Sequence, residues 1–231
     1  MIQSNTRLGL LAFTRSVVCL LPQVYSNKFY DAIEVLRFIS LWCLAAQRKG
    51  MVIIMKITRK NCCFAALFVA LCAICSQIQI PLPVIPINLA MFAVLLAGAL
   101  LGARLGGLAM LAYVLLGALG APVFTGLQGG VGVLLGKTGG YLVGYIAAAV
   151  CTGWLATRWG KRFFGLCGAM AVGVAACYLI GTAWYMLLTR APLWVSLCGC
   201  VFPFLPGDAV KLLLAASLTR RLQPRMRNSG K

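Results

Sequence analysis

Met91-Phe92-Ala93-Val94-Leu95-Leu96-Ala97-Gly98-Ala99-Leu100-Leu101-Gly102-Ala103-Arg104-Leu105 is the stretch that decides the class of fold. Arg104 is its single charged residue, and it stands where one apolar run ends and the next begins. The same grammar, apolar runs punctuated by bases, continues to the end of the chain. Of the 231 residues, 62% are hydrophobic and only 10% charged, with a mean hydropathy of +0.95. A soluble domain is roughly 45–50% apolar and about 25% charged. There is too little polar surface here to cover a globule in water. An ordinary soluble enzyme and a disordered chain are thereby excluded.

Charge narrows the function further. Lys and Arg number 21, Asp and Glu 3, and His 0. With so few carboxylates and no histidine, most hydrolytic and metal sites cannot be assembled. The net charge of +18 sits at the ends of apolar runs, which is the positive-inside pattern and not a nucleic-acid footprint. The 11 cysteines lie mostly within apolar segments. Cys72 and Cys75, or Cys198 and Cys200, read as small packing residues. The competing reading, a redox or zinc pair, lacks a second pair and a histidine.

The first 54 residues differ from the rest. They hold six of the bases and two of the acids, Asp31 and Glu34. Leu8 to Leu21 is apolar but short of the roughly 20 residues of a span, is interrupted by Arg15, and lacks an A-x-A cleavage site. Phe29 to Ala46 suits an amphipathic interfacial helix. Residues 1–54 are therefore expected to be a disordered extension, or to precede a true start at Met55, the reading favoured here. Residues 55–231 form the membrane domain.

Six apolar segments divide that domain: about Asn61–Gln79, Asn88–Leu101, Leu105–Leu119, Tyr141–Ala156, Phe163–Leu188, and a last one from Pro203 and Pro206 to near Leu218. A proline-rich piece, Ile80 to Ile87, joins the first two as a loop or extended piece. Twelve bases flank one side: Lys56, Arg59, Lys60, Arg104, Arg158, Lys161, Arg162, Arg220, Arg221, Arg225, Arg227 and Lys231. Only Lys137 and Arg190 flank the other. The expected fold is an all-α integral membrane protein with six transmembrane helices and both termini cytoplasmic.

Asp208 is the only acid after position 34, and Lys211 is the only base inside an expected span. Three residues apart, they share a helix face. Placing either charge in a bilayer costs about 2.5–3.5 kcal/mol, so an intramembrane pair is a functional site by default. The plainer reading is a helix start: Asp suits a helix N-terminus, and Lys can snorkel. That accounts for Asp208 better than for the pair. A carboxylate and an ammonium facing one cavity suit a neutral polar ligand with both N–H donors and an acceptor.

The Gly-rich connection Gly120 to Gly140 is the second candidate. Gly136-Lys137-Thr138 resembles the end of a phosphate-binding loop, but the required first glycine falls at Val131, and G-x-G-x-x-G is missed because position 135 is Leu. Neither nucleotide motif is met. Irregular backbone of this kind is tolerated at membrane depth only beside protein or a cavity, and its glycines permit close approach to a ligand. On the first segment Ala66 and Ala70 form a small-x-x-x-small pair suited to helix contact.

Three stretches together resemble one family: Pro86-Ile87-Asn88-Leu89 with Phe92 to Gly102, the Gly-rich connection through Thr138-Gly139-Gly140-Tyr141, and Pro203 to Asp208 with Lys211. From Met55 onward the chain looks like the BioY family, the biotin-specific substrate-binding (S) components of energy-coupling factor (ECF) transporters. The resemblance implies multi-pass residence in the bacterial cytoplasmic membrane and high-affinity capture of biotin, with no cofactor. It implies a transmembrane T component and two ABC ATPase subunits as partners, ATP being used only by them. It assigns the ligand to Asp208, Lys211, Asn88, Gly130, Gly132, Thr138, Gly139, Gly140 and Tyr141, and Ala66 and Ala70 are the expected partner-facing positions. Tyr141, Phe124 or Trp184 are rings suited to cover an apolar ligand ring. The chain departs from the family where Thr and Gln become Asn88 and Ala90, and where Pro becomes Lys137. Two other classes compete. A stand-alone vitamin facilitator or secondary transporter would have Asp208 as its one coupling carboxylate, yet no internal repeat is evident. A membrane-embedded transferase would need more polar catalytic residues than are present.

Overall fold

The computed structural model describes residues 59–80, 87–159 and 162–228. The expected extension over 1–54, the start at Met55 and residues 81–86 of the proline-rich piece lie outside them. The described chain is mainly helical, with one two-residue ladder and an irregular connection over 119–130. Helix α1 runs Arg59–Gln77 and ends before a bend at Ile78. Strands β1 (Gln79–Ile80) and β2 (Ile87–Asn88) pair antiparallel, with Gln79 opposite Asn88. The expected first and second helices are each shortened by two residues at this ladder. Then come α2 (Ala90–Ala118), α3 (Val131–Leu135), α4 (Gly139–Arg158), α5 (Phe163–Thr189), α6 (Leu193–Cys200) and α7 (Leu205–Asn228).

Helix α2 contains the decisive turn. Gly102 has φ 80° and ψ 176°, outside helical space, a conformation that glycine adopts without a Cβ penalty. A methyl group added at Gly106 would lie 3.0 Å from Ala97 O and from Gly98 Cα. In a continuous helix those residues would be roughly 13 Å apart along the axis. The chain therefore reverses at Gly102, and residues 90–101 and 103–118 form two legs of a helical hairpin, the expected second and third segments.

By length and composition three helices among the described residues can cross a membrane: α2, α4 and α5. A fourth span arises if α6 and Leu205–Gln223, bent by 52°, are taken as one. The hairpin in α2 makes that first span two shorter legs. The outer surface is apolar, as lipid requires; Phe164 is 86% and Leu187 80% exposed.

Two elements were not anticipated. Helix α3 lies inside the Gly-rich connection, and α4 begins at Gly139, within the end assigned to that connection. Helix α6 lies between the expected fifth and sixth segments, where no element was expected. Arg190, left-handed at φ 53°, closes α5 through its N–H to Met186 O. Extended Pro192 then opens α6. Helix α7 starts at Leu205, so Pro206 sits in its first turn, where no N–H is needed.

Helix α4 is the centre of the bundle, and small residues place it there. On one side Gly140, Gly144 and Ala148, spaced by four, meet α5 at Trp184, Cys177 and Gly173. A Cβ at Gly144 would stand 2.9 Å from Cys177 Sγ. On the other side α4 meets the hairpin: a Cβ at Gly98 would be 2.5 Å from Ala149 O, and one at Gly153 would strike the backbone at Gly102 and Ala103. Close backbone approach of this kind drives helix association where no hydrophobic effect operates. Tyr113, Leu95, Met110, Leu166 and Met170 fill the remaining core and are fully buried.

Gly153→Ala is expected to lower the thermal stability of the detergent-solubilised protein by about 1–3 kcal/mol, the scale of overpacking a close contact. Gly132→Ala, where a Cβ meets open space, is expected to leave the melting temperature unchanged.

Candidate functional site

Antiparallel packing gathers two sets of helix ends. The start of α1, the Gly102 turn, the end of α4 and the end of α7 meet around a shallow cleft lined by Asn61, Gly102, Thr157 and Gln223. Exposed Arg104, Arg158, Arg220 and Arg221 lie near these ends, with Arg158 4.5 Å above the Trp154 ring. At the opposite end a cavity of about 270 Å³ opens between the ladder, the start of α4, α5 and the start of α7. Its size is near the lower end of small-molecule sites, roughly 300–1,000 Å³.

Asp208 and Lys211 line that cavity, one helical turn apart on α7. They are 5% and 8% exposed. Lys211 Nζ lies 2.7 Å from Asp208 Oδ1 and donates to Asn88 O at 2.7 Å. Tyr178 Oη, from α5, donates to Asp208 Oδ2 at 2.5 Å. Both carboxylate oxygens are thus occupied, and the ammonium joins α7 to the β2 strand. An isolated charge at this depth would be prohibitively costly; paired and hydrogen-bonded, it is tolerated.

Asn88 works through its backbone and its side chain together. Its Nδ2 donates to Thr125 Oγ1 at 2.8 Å, and its Oδ1 accepts from the N–H of Ala90 at 3.3 Å and from Tyr145 Oη at 3.4 Å. It therefore starts α2 and ties the 121–130 loop to the ladder. Tyr141 Oη stands 3.3 Å from Thr182 Oγ1 and donates to Cys200 O at 3.4 Å, which holds the end of α6 against the site.

Of the expected ligand positions, Asp208, Lys211, Asn88, Thr138 and Tyr141 line the cavity together. The four glycines do not. Gly130 has φ 97° and donates its N–H to Gly117 O at 2.6 Å, so it is a turn that launches α3. Gly132 is exposed on α3 and faces open space. Gly139 packs on the Leu134 backbone and Gly140 on Trp184, so both are small for helix contact and not for ligand approach. Lys137 is exposed and outside the lining. Phe124 lines the cavity; Trp184 does not, its Nε1 donating to Gly136 O at 3.1 Å. Ala66 and Ala70 are half-buried on α1 beside exposed Leu67 and Ile74.

Tyr145, Tyr178, Gln79, Met91 and Gln128 also line the cavity and went unread in the sequence. For the tyrosines a signal existed. A hydroxyl in an apolar helix needs a partner, and Tyr141 and Tyr145 are spaced to share one face of α4. Cys72, Cys75 and Cys177 are buried in the hydrophobic core. Among the described residues no three His, Cys, Asp or Glu side chains come together to hold a metal.

The model of the BioY family matches residues 45–228. The probable biotin transporter BioY of Pyrococcus horikoshii is 37% identical over 164 residues, covering 71% of this chain and 96% of that protein. The biotin transporter BioY of Rhodobacter capsulatus is 36% identical over 172 residues, covering 69% and 88%. Among solved structures, the S-component for biotin from an ECF-type ABC transporter superposes with a TM-score of 0.67 at 29% identity, covering 71% of this chain and 91% of that one.

Tyr178→Phe removes the partner of Asp208 Oδ2 without changing the ring. The ligand-free protein is expected to lose about 1.5–3 kcal/mol of stability, the worth of a hydrogen bond to a charged group, read as a lower thermal unfolding midpoint.

Proposed function

The chain belongs to the BioY family, and on that premise we propose that it is the biotin-binding subunit of an uptake system in the membrane. The observation that carries the reading is the Asp208–Lys211 pair, buried and lining an otherwise neutral cavity. Biotin carries two ureido N–H donors, a carbonyl acceptor, a thioether ring and a carboxylate tail. Asp208 accepts from N–H groups and Lys211 donates to an oxygen. A ligand with both kinds of group exchanges bonds with the pair and leaves neither charge unpaired, so its binding avoids the cost of an orphaned buried ion. Phe124, Tyr141, Tyr145, Tyr178 and Phe204 supply an apolar wall for the ring system. The named relatives are biotin transporters, and the superposing structure is an S-component for biotin.

As an S-component the chain works with an ECF transmembrane T component and ABC ATPase subunits, two in number in this proposal, which hydrolyse the ATP. The chain itself catalyses no reaction and needs no cofactor. Six helical legs (α1, the two of α2, α4, α5 and α7) cross the bacterial cytoplasmic membrane, with both termini and the Arg-rich end in the cytoplasm. The cavity then faces outside. Asn88, Thr138 and Tyr141 complete the ligand site with the ion pair, and Ala66 and Ala70 on α1 face the T component.

Asp208→Asn is expected to weaken biotin binding by about 1.5–3 kcal/mol, roughly tenfold to 150-fold. Isothermal calorimetry on the purified chain measures it, and an unchanged affinity would remove Asp208 from the ligand site. Ala66→Trp is expected to abolish biotin uptake by cells while leaving binding to the purified chain intact. Retained uptake would move the partner face elsewhere.

A further inference from the structure

The loop over residues 121–130 forms one wall of the cavity through Phe124, Thr125, Gly126 and Gln128. Its own backbone is loosely built: one bridge joins Phe124 and Gln128, and Leu127 is left-handed at φ 58°. A leucine holds that conformation only where its surroundings impose it. The surroundings come from α1. Gln77 Nε2 donates to Phe124 O at 3.1 Å, and the Leu127 N–H donates to Gln77 Oε1 at 2.9 Å. One side-chain amide thus offers the turn both a donor and an acceptor, as a neighbouring strand would. Beside it Ser76 Oγ donates to Val123 O at 2.6 Å, and Tyr113 Oη donates to the same oxygen at 2.9 Å. The Phe124 ring is seated over Gly117 and edge-on to Tyr113, with ring centroids 5.7 Å apart. Ser76 and Tyr113 are fully buried.

Gln77 does not line the cavity, yet it sets the backbone of residues that do. We infer that Gln77 is a positioning residue that holds the 121–130 wall closed over the ligand and thereby limits the rate at which biotin leaves. This rests on the reading of the cavity as the biotin site. Ser76 plays the lesser part, because Val123 O keeps Tyr113 as a donor when the serine hydroxyl is gone. The ends of the loop are tied elsewhere, by the Ala121 N–H to Leu116 O and the Gly130 N–H to Gly117 O, so loss of Gln77 loosens the turn, which keeps only its Asn88–Thr125 side-chain bond, without unfolding the bundle.

The test uses the full chain in detergent, with hydrogen-exchange mass spectrometry and biotin dissociation measured side by side. Gln77→Ala is expected to speed exchange in peptides over 121–130 and to leave those from α4 and α5 unchanged. It is expected to raise the biotin dissociation rate about tenfold, the loss of two ordinary hydrogen bonds, with association altered less than about threefold. Gln77→Glu keeps an acceptor for the Leu127 N–H and loses the donor to Phe124 O, so its dissociation rate should fall between the two. Should Gln77→Ala fail to fold, the Gln77→Glu and Ser76→Ala variants carry the comparison. A loosened loop with an unchanged dissociation rate overturns the inference, as does faster exchange spread evenly over all helices. Failure of the wild-type chain to bind biotin overturns the functional reading instead, and the exchange measurement then decides the Gln77 clamp by itself.

Discussion

The structure is organised around one electrostatic requirement: Asp208 and Lys211 are buried and must be neutralised together. Meeting it draws on four elements. Helix α7 supplies both charges, α5 sends in Tyr178, and the β2 strand offers the carbonyl of Asn88. Helix α4 sends Tyr145 to the Asn88 side chain, which in turn reaches the 121–130 loop at Thr125. Moving any of these away would leave a charge or a dipole unpaired in a medium that cannot solvate it. The cavity exists because the groups meeting there are polar and the elements cannot close over them without such a loss.

The opposite constraint governs the rest of the bundle. In lipid, apolar side chains gain nothing by leaving the solvent, so helices associate where backbones come close. Helix α4 satisfies this on two sides, through Gly140, Gly144 and Ala148 toward α5, and through Ala149 and Gly153 toward the hairpin. Much of the glycine in the chain is accounted for in this way. That is also why Gly139 and Gly140, which look like a ligand loop when read in sequence, serve packing in three dimensions. A glycine is equally good at admitting a ligand and admitting a helix, and only its neighbours tell which.

Much was legible in advance because the decisive residues are rare. One acid among apolar segments, with one base three residues later, picks out the candidate site with no structural information. Clustered bases at segment ends mark the boundaries, and the three family stretches agree with a family match over 45–228. Tyr178 and Gln79 were not legible, because their roles depend on which helix or strand lies opposite. Helix α6 was missed for a related reason: Leu193–Cys200 carries no charge or period that separates a short helix from an apolar loop.

Sequence alone determined that this chain has the apolar segments of a membrane protein, roughly where most of them lie, and that Asp208 with Lys211 is the one acid–base pair inside them. Those properties are carried by composition and by spacing along one helix, so they need no partner to be read. Tertiary structure decided the rest: that the chain reverses at Gly102, that Tyr178 and Asn88 complete the ion pair, and that Gln77 reaches a loop some 50 residues away. The last two are contacts between segments distant in the chain. Their existence depends on which segment folding brings opposite, and that is settled only when the whole bundle packs.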